Sequence, residues 1–140
     1  MEREQSGALG LDYVPVVLSV RMFEEIADIF RYEHFPSRSA CVEWLLQRGV
    51  DELLNRGDRL PKLNHGEIGE ILGARRRTLG PLPRLEVSDG KIPGISFRIS
   101  DRLYAGLESI RRKELEPSST QTVRLVIEYS LRRYCRVRRW

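Results

Sequence analysis

Val16-Val17-Leu18-Ser19-Val20-Arg21 and Gly94-Ile95-Ser96-Phe97-Arg98-Ile99 are two versions of one phrase. In each, apolar residues alternate with small or polar ones, the period-two pattern of a strand with one buried side. Each is followed by a helical stretch, a proline (Pro36, Pro117), a hydroxyl-rich step (Ser37-Arg38-Ser39, Ser118-Ser119-Thr120) and a second helical stretch. Neither copy is long enough to enclose a core alone, so their presence in one chain predicts a single globule built from a joined pair.

Outward from the first phrase, the alternation predicts a strand over Val16–Met22, with Val16, Leu18, Val20 and Met22 facing inward and Val17, Ser19 and Arg21 outward. Ile26, Ile29, Phe30 and Tyr32 then fit a short amphipathic helix stopped by Pro36. A second helix begins at Ser37 or Ser39 as N-cap, carries Cys41, Val42, Leu45, Leu46, Val50, Leu53 and Leu54, and ends at Gly57. In the second copy Ile95, Phe97 and Ile99 mark the strand, and Ser100 caps a helix with Leu103, Leu107, Ile110 and Leu115. Ser118 with Gln121 suggests a capping box for a last helix carrying Val123, Val126, Ile127, Leu131 and Tyr134. Aligned on their motifs, Ser19 matches Ser96 and Arg21 matches Arg98 at an offset of 77, whereas Ser39 matches Thr120 and Val42 matches Val123 at 81. The difference of four, about one helical turn, predicts a shorter first helix or a tighter turn in copy one.

Residues 1–15 read as a flexible arm, 16–54 as copy one, 55–93 as a linker, 94–135 as copy two and 136–140 as a basic tail. Gly57, Pro61, Gly66, Gly69, Gly73, Gly80, Pro81, Pro83, Gly90 and Pro93 punctuate the linker, leaving room for one short helix around Glu67–Arg77. The 140 residues are 41% hydrophobic and 31% charged, a globular composition. There is no apolar run of membrane-spanning length and no signal-peptide pattern, so the expected location is cytoplasmic and nucleoid-associated. Cys41 and Cys135 lie in apolar helical patterns without a metal spacing and are expected to be buried thiols; no cofactor and no metal site are expected. Enzyme signatures are absent: His34 and His65 are the only histidines, and Glu24-Glu25 read as first-turn helix residues.

Net charge is +4, distributed as −2 over residues 1–15, −3 over 16–54, +3 over 55–93 and +6 over 94–140. The second copy is therefore the basic one. Of 24 basic residues 21 are Arg, whose planar fork suits phosphates and guanine edges.

A strand ending in Ser-Val-Arg or Ser-Phe-Arg, a helix, and a second helix opening on Arg-Ser (Arg38-Ser39) resembles the ribbon-helix-helix family of MetJ/Arc-type DNA-binding proteins over 16–54 and 94–135. The fused double copy is similar in arrangement to TraY-type accessory proteins of plasmid conjugation. The resemblance implies a mainly α fold with a short two-stranded antiparallel β-ribbon, a single-chain pseudo-dimer, whose ribbon enters the major groove of double-stranded DNA. It implies base contacts from Val17, Ser19, Arg21, Ser96 and Arg98, and phosphate contacts from Ser37, Arg38, Ser39, Ser118, Ser119 and Thr120 at helix N-termini. Arg75, Arg76, Arg77, Arg136, Arg138 and Arg139 are auxiliary basic positions. The chain departs from the pattern where Phe23 stands opposite the capping Ser100, where Gly94 faces Val17, and where Gly106 interrupts a helix. The expected function is a repressor or nucleoprotein accessory factor that binds as a monomeric pseudo-dimer or a higher assembly, reads an asymmetric site and has no membrane partner. The alternative is an antitoxin-like or relaxosome-like adaptor whose linker offers Ile68, Ile71 and Leu72 to a protein partner; a helix simply packed on the core is the plainer reading of that stripe.

Overall fold

Ser19 decides where the first strand stops. Its hydroxyl accepts the Met22 N–H at 3.2 Å in extended backbone (φ −70°, ψ 161°), the geometry of an N-cap. A computed structural model of the chain describes residues 14–77, 94–97, 99–116 and 118–138, with backbone alone at 14–15, 74–77, 94–97 and 135–138. In it β1 (Val14–Val17) leads into α1 (Val20–Tyr32), α2 (Arg38–Arg56), α3 (His65–Arg77), β2 (Gly94–Phe97), α4 (Asp101–Glu114) and α5 (Ser119–Arg138). The chain is mainly helical.

The strand predicted over Val16–Met22 is therefore corrected: it lies two residues earlier and ends before Leu18. Every second residue and every fourth coincide at Leu18, Met22 and Ile26, so the alternation also fits a helix. The capping serine resolves the ambiguity, and Met22, Phe23, Ile26, Ala27 and Ile29 form the buried face of α1. Glu24 and Glu25 consequently fall beyond the first turn, which contains no acidic residue.

β1 pairs with β2 antiparallel in the register Val14↔Phe97, Pro15↔Ser96, Val16↔Ile95 and Val17↔Gly94. Ser37 caps α2 by accepting the Ala40 N–H at 3.1 Å, and Gly57 ends it at φ 71°. Ser100 caps α4 on the Leu103 N–H, and the Ser118 hydroxyl accepts the Gln121 N–H. The reciprocal half of the predicted capping box is taken elsewhere, since the Gln121 side-chain carbonyl accepts from Arg124.

These landmarks fall at one spacing. Ser100 stands 81 residues after Ser19, Ser118 81 after Ser37, and Leu115 (φ 58°) 81 after His34 (φ 60°). The 77-residue offset and the one-turn difference inferred from it are corrected: Ser19 matches the capping Ser100, not Ser96, and the first helices have 13 and 14 residues. Phe23 thus aligns with Tyr104, and the departure at the cap disappears.

α2 and α5 cross at the centre of the molecule, flanked by α4 and α1. Leu45, Leu46, Leu53, Ile127 and Leu131 are fully buried between them. The crossing needs small residues: a Cβ on Gly49 would lie 2.5 Å from Ser130 Oγ and 3.1 Å from the Val126 carbonyl oxygen. Gly106, a helix weakness by propensity alone, likewise admits Val50, whose Cγ1 would be 2.5 Å from an added Cβ. Cys41 is buried, its thiol facing the Ile26 carbonyl at 3.9 Å and pushed up to about 12 by burial and the nearby Glu33. Trp44 packs between Phe35 and Tyr134 with ring centroids 5.5 and 6.0 Å away. Four apolar residues assigned to inner faces are instead exposed: Val20, Tyr32, Leu54 and Leu115. Among the described residues no helix is long and apolar enough to cross a membrane.

Candidate nucleic-acid interface

The paired strands fix one candidate surface by alternation. Val16 is completely buried, so its neighbours in the pleat, Pro15 and Val17, occupy the opposite face, and the register aligns Ser96 and Gly94 with them. Val17 is half-buried, and its carbonyl accepts a 2.8 Å hydrogen bond from Arg124 Nε, which ties α5 to the end of the strand. Of the expected base contacts, Val17 and Ser96 keep strand positions on this face.

Ser19 and Arg21 do not. Ser19 is fully buried, and its Oγ donates to Glu67 Oε2 at 3.0 Å while capping α1. Arg21 lies on α1 and is held by three carboxylates: Nε on Glu67 at 2.6 Å, one terminal nitrogen on Glu25 at 2.8 Å and the other on Glu128 at 2.6 Å. Burial opposes the Arg21 cation, but hydrogen bonds to Glu67 and Glu128 outweigh it and hold the pKa above the ordinary arginine value. For Glu67 burial is likewise outweighed, by Arg21 and then Ser19, and its carboxyl is held below the ordinary value. Glu25 is raised, because burial exceeds what Arg21 returns. The base-contact assignment of Ser19 and Arg21 is thus corrected to a buried polar network. The cause is the shifted strand end, which puts both on the helix side of the cap.

The same network explains the linker. α3 falls where a short helix was expected, and Glu67 docks it on the core with Leu63 and Ile71 buried. The stripe Ile68, Ile71 and Leu72 is therefore split, with Ile71 inside and Ile68 and Leu72 exposed. No sequence signal identified Glu67 or Glu128 as partners of Arg21, since they lie 46 and 107 residues away.

The two second-helix N-termini differ. At α2, Ser37 and Arg38 are exposed, and the Arg38 guanidinium lies 5.5 Å from the ring centres of both Phe23 and Phe30. At α5, the Ser119 hydroxyl donates to Glu108 at 2.9 Å and the Ser118 N–H donates to Glu116 at 3.3 Å, so carboxylates already use two donors there. Glu108 is held low, first by Arg111 and also by Ser119. Ser39 and Thr120 follow in the first turns, both half-buried.

Arg98, Arg139, the arm 1–13 and the linker residues 78–93 lie outside the described residues, as do the side chains of Ser96, Cys135, Arg75, Arg76, Arg77, Arg136 and Arg138. No family model, characterised protein or solved structure matches the chain in the comparisons made with each.

Proposed function

We propose that the chain is a fused pair of ribbon-helix-helix units that binds double-stranded DNA through its paired strands. The observation that carries this reading is the register. Under the 81-residue shift that relates the caps, Val14↔Phe97 and Val16↔Ile95 exchange with each other, and Pro15↔Ser96 maps onto itself. That is the pairing two equivalent strands make about a two-fold axis, with Pro15 and Ser96 at its centre.

A two-stranded ribbon fits a major groove about 12 Å wide, with its outer positions against base edges. The shift pairs Val17 with Arg98 and Pro15 with Ser96, so the reading head is unequal. The first strand offers an apolar surface suited to thymine methyl groups, and the second offers a hydroxyl and a guanidinium suited to a guanine edge. This inequality favours an asymmetric site over a palindrome. The exposed Arg38 beside the α2 N-terminus serves as the phosphate clamp, positioning the ribbon without reading sequence. A repressor or nucleoprotein accessory role is the form of function that such binding serves.

Selection of bound duplexes from a random pool, followed by anisotropy titration of the enriched site, tests the reading. Arg98→Ala is expected to relax preference at one position by about 1–3 kcal/mol, and Arg38→Ala to weaken all duplexes alike. An unenriched pool, or equal affinity of the Arg98→Ala protein for selected and random duplexes, would overturn it.

A further inference from the structure

The segment from Leu63 to Ile71 covers one end of the core, and no described residue covers the equivalent place at the other end. On the covered side Leu18, Ser19 and Met22 are fully buried, and Leu125 and Glu128 are buried beside them. Ser19 and Arg21 receive the Glu67 carboxylate, and Arg132 reaches the Lys62 carbonyl at 3.1 Å. Under the same 81-residue shift, Ile99, Ser100 and Leu103 stand for Leu18, Ser19 and Met22, while Trp44 and Gln47 stand for Leu125 and Glu128. These residues line a groove of about 520 Å³.

Ser100, which lines it, and Arg102, two residues on, correspond in sequence to the groups that hold Glu67. Ser100 is exposed and its Oγ already accepts the Leu103 N–H, leaving the hydroxyl proton to donate, as Ser19 does to Glu67. Arg102 stands for Arg21, is exposed, and makes no hydrogen bond or ion pair among the described residues. Glu128, which competes for Arg21, is replaced by Gln47, whose amide donates to Asp51 at 3.1 Å. Glu43 also lines the groove, one turn from Gln47.

We propose that this groove docks a helical segment of a partner protein shaped like the chain's own residues 63–71: a carboxylate with apolar residues four positions before and after it, as Glu67 has Leu63 and Ile71. The carboxylate meets Arg102 and Ser100, and the apolar pair covers Ile99, Leu103 and Trp44. The site is independent of nucleic-acid binding.

The test uses the full chain and a fluorescein-labelled synthetic peptide of residues 62–73. Saturable binding of one peptide per chain is expected by anisotropy. It should weaken about tenfold with Arg102→Glu, with Ala40→Trp, which fills the groove, and with Gln in place of Glu67 in the peptide. Arg102 is exposed, so its variant is expected to keep the parent's circular dichroism and melting. Absence of binding would overturn the proposal, and so would binding indifferent to Arg102→Glu, which would mean that the peptide displaces α3 from its own seat. Binding seen only after deletion of residues 2–12 would assign the groove to the chain's own N-terminal segment. A concentration-dependent dimer in light scattering that Arg102→Glu abolishes would assign it to a second copy. Either of these also overturns the partner reading.

Discussion

Replacing Arg21 by alanine separates a structural role from a DNA-reading one. The change leaves Glu128, 2% exposed at its side chain, and Glu67, 9% exposed, without their shared counter-ion. Removing one partner of a buried ion pair costs about 3–5 kcal/mol, against about 0–1 kcal/mol for a surface pair. Here the figure is reduced, because the Arg21 side chain is itself 41% exposed, Glu128 keeps Arg132 and Glu67 keeps Ser19. The expected loss at neutral pH is about 2–3 kcal/mol. With an ordinary urea dependence, the midpoint falls by about 1–2 M in a denaturation followed by circular dichroism.

The pH dependence follows from Glu67, whose folded pKa is depressed below the ordinary 4.5. Its stabilising contribution is present above that value and is lost as pH falls through the folded pKa, so the gap between parent and variant should narrow on acidification. Glu25 is shifted the other way, upward, by burial, but Arg21 holds it lower than burial alone would, so losing Arg21 raises it further and adds to the narrowing. A stability loss below about 1 kcal/mol, or a gap that widens as pH falls, would refute the buried-network account.

Gly106→Ala should destabilise by about 1–3 kcal/mol despite the better helix propensity of alanine, because the new methyl meets the stiff Val50 side chain at 2.5 Å; thermal unfolding checks the sign, and Val50→Ala in the same chain should recover most of the loss. Leu115→Gly should raise stability by about 0.5–1 kcal/mol, since Leu115 is 86% exposed and sits at φ 58°; an unchanged or lower melting temperature would contradict this. Tyr129 is pushed from 10.0 to about 12 by burial and by its 2.7 Å hydrogen bond to Asp58. Its contribution is complete below pH 10 and lost as pH rises toward 12, so Tyr129→Phe should flatten the stability curve across that window in urea titrations at stepped pH.

Capping chemistry and apolar period make most of the helical fold readable. Ser37, Ser100, Ser118 and Gly57 mark helix boundaries from local hydrogen bonding and left-handed backbone, effects confined to a few residues, and each is found at its expected boundary. The first strand is harder to place because Leu18, Met22 and Ile26 satisfy both periods, and the one-turn discrepancy in the repeat comes from that same ambiguity. Gly106 resembles a weakness because the residue it accommodates, Val50, lies on another helix.

Local sequence is enough to establish that this chain repeats a helix-rich unit, where its helices are capped and that its second half is basic, because caps, periods and charges are properties of neighbouring residues. Packing in three dimensions settles the rest: Ser19 and Arg21 lie inside a carboxylate network, Glu67 clamps the linker helix, and no described residue fills the corresponding groove beside Ser100. The network depends on contacts across 46 to 107 residues, where the free energy of burying a charge with its partner overrides the local pattern that suggested a solvent-facing strand.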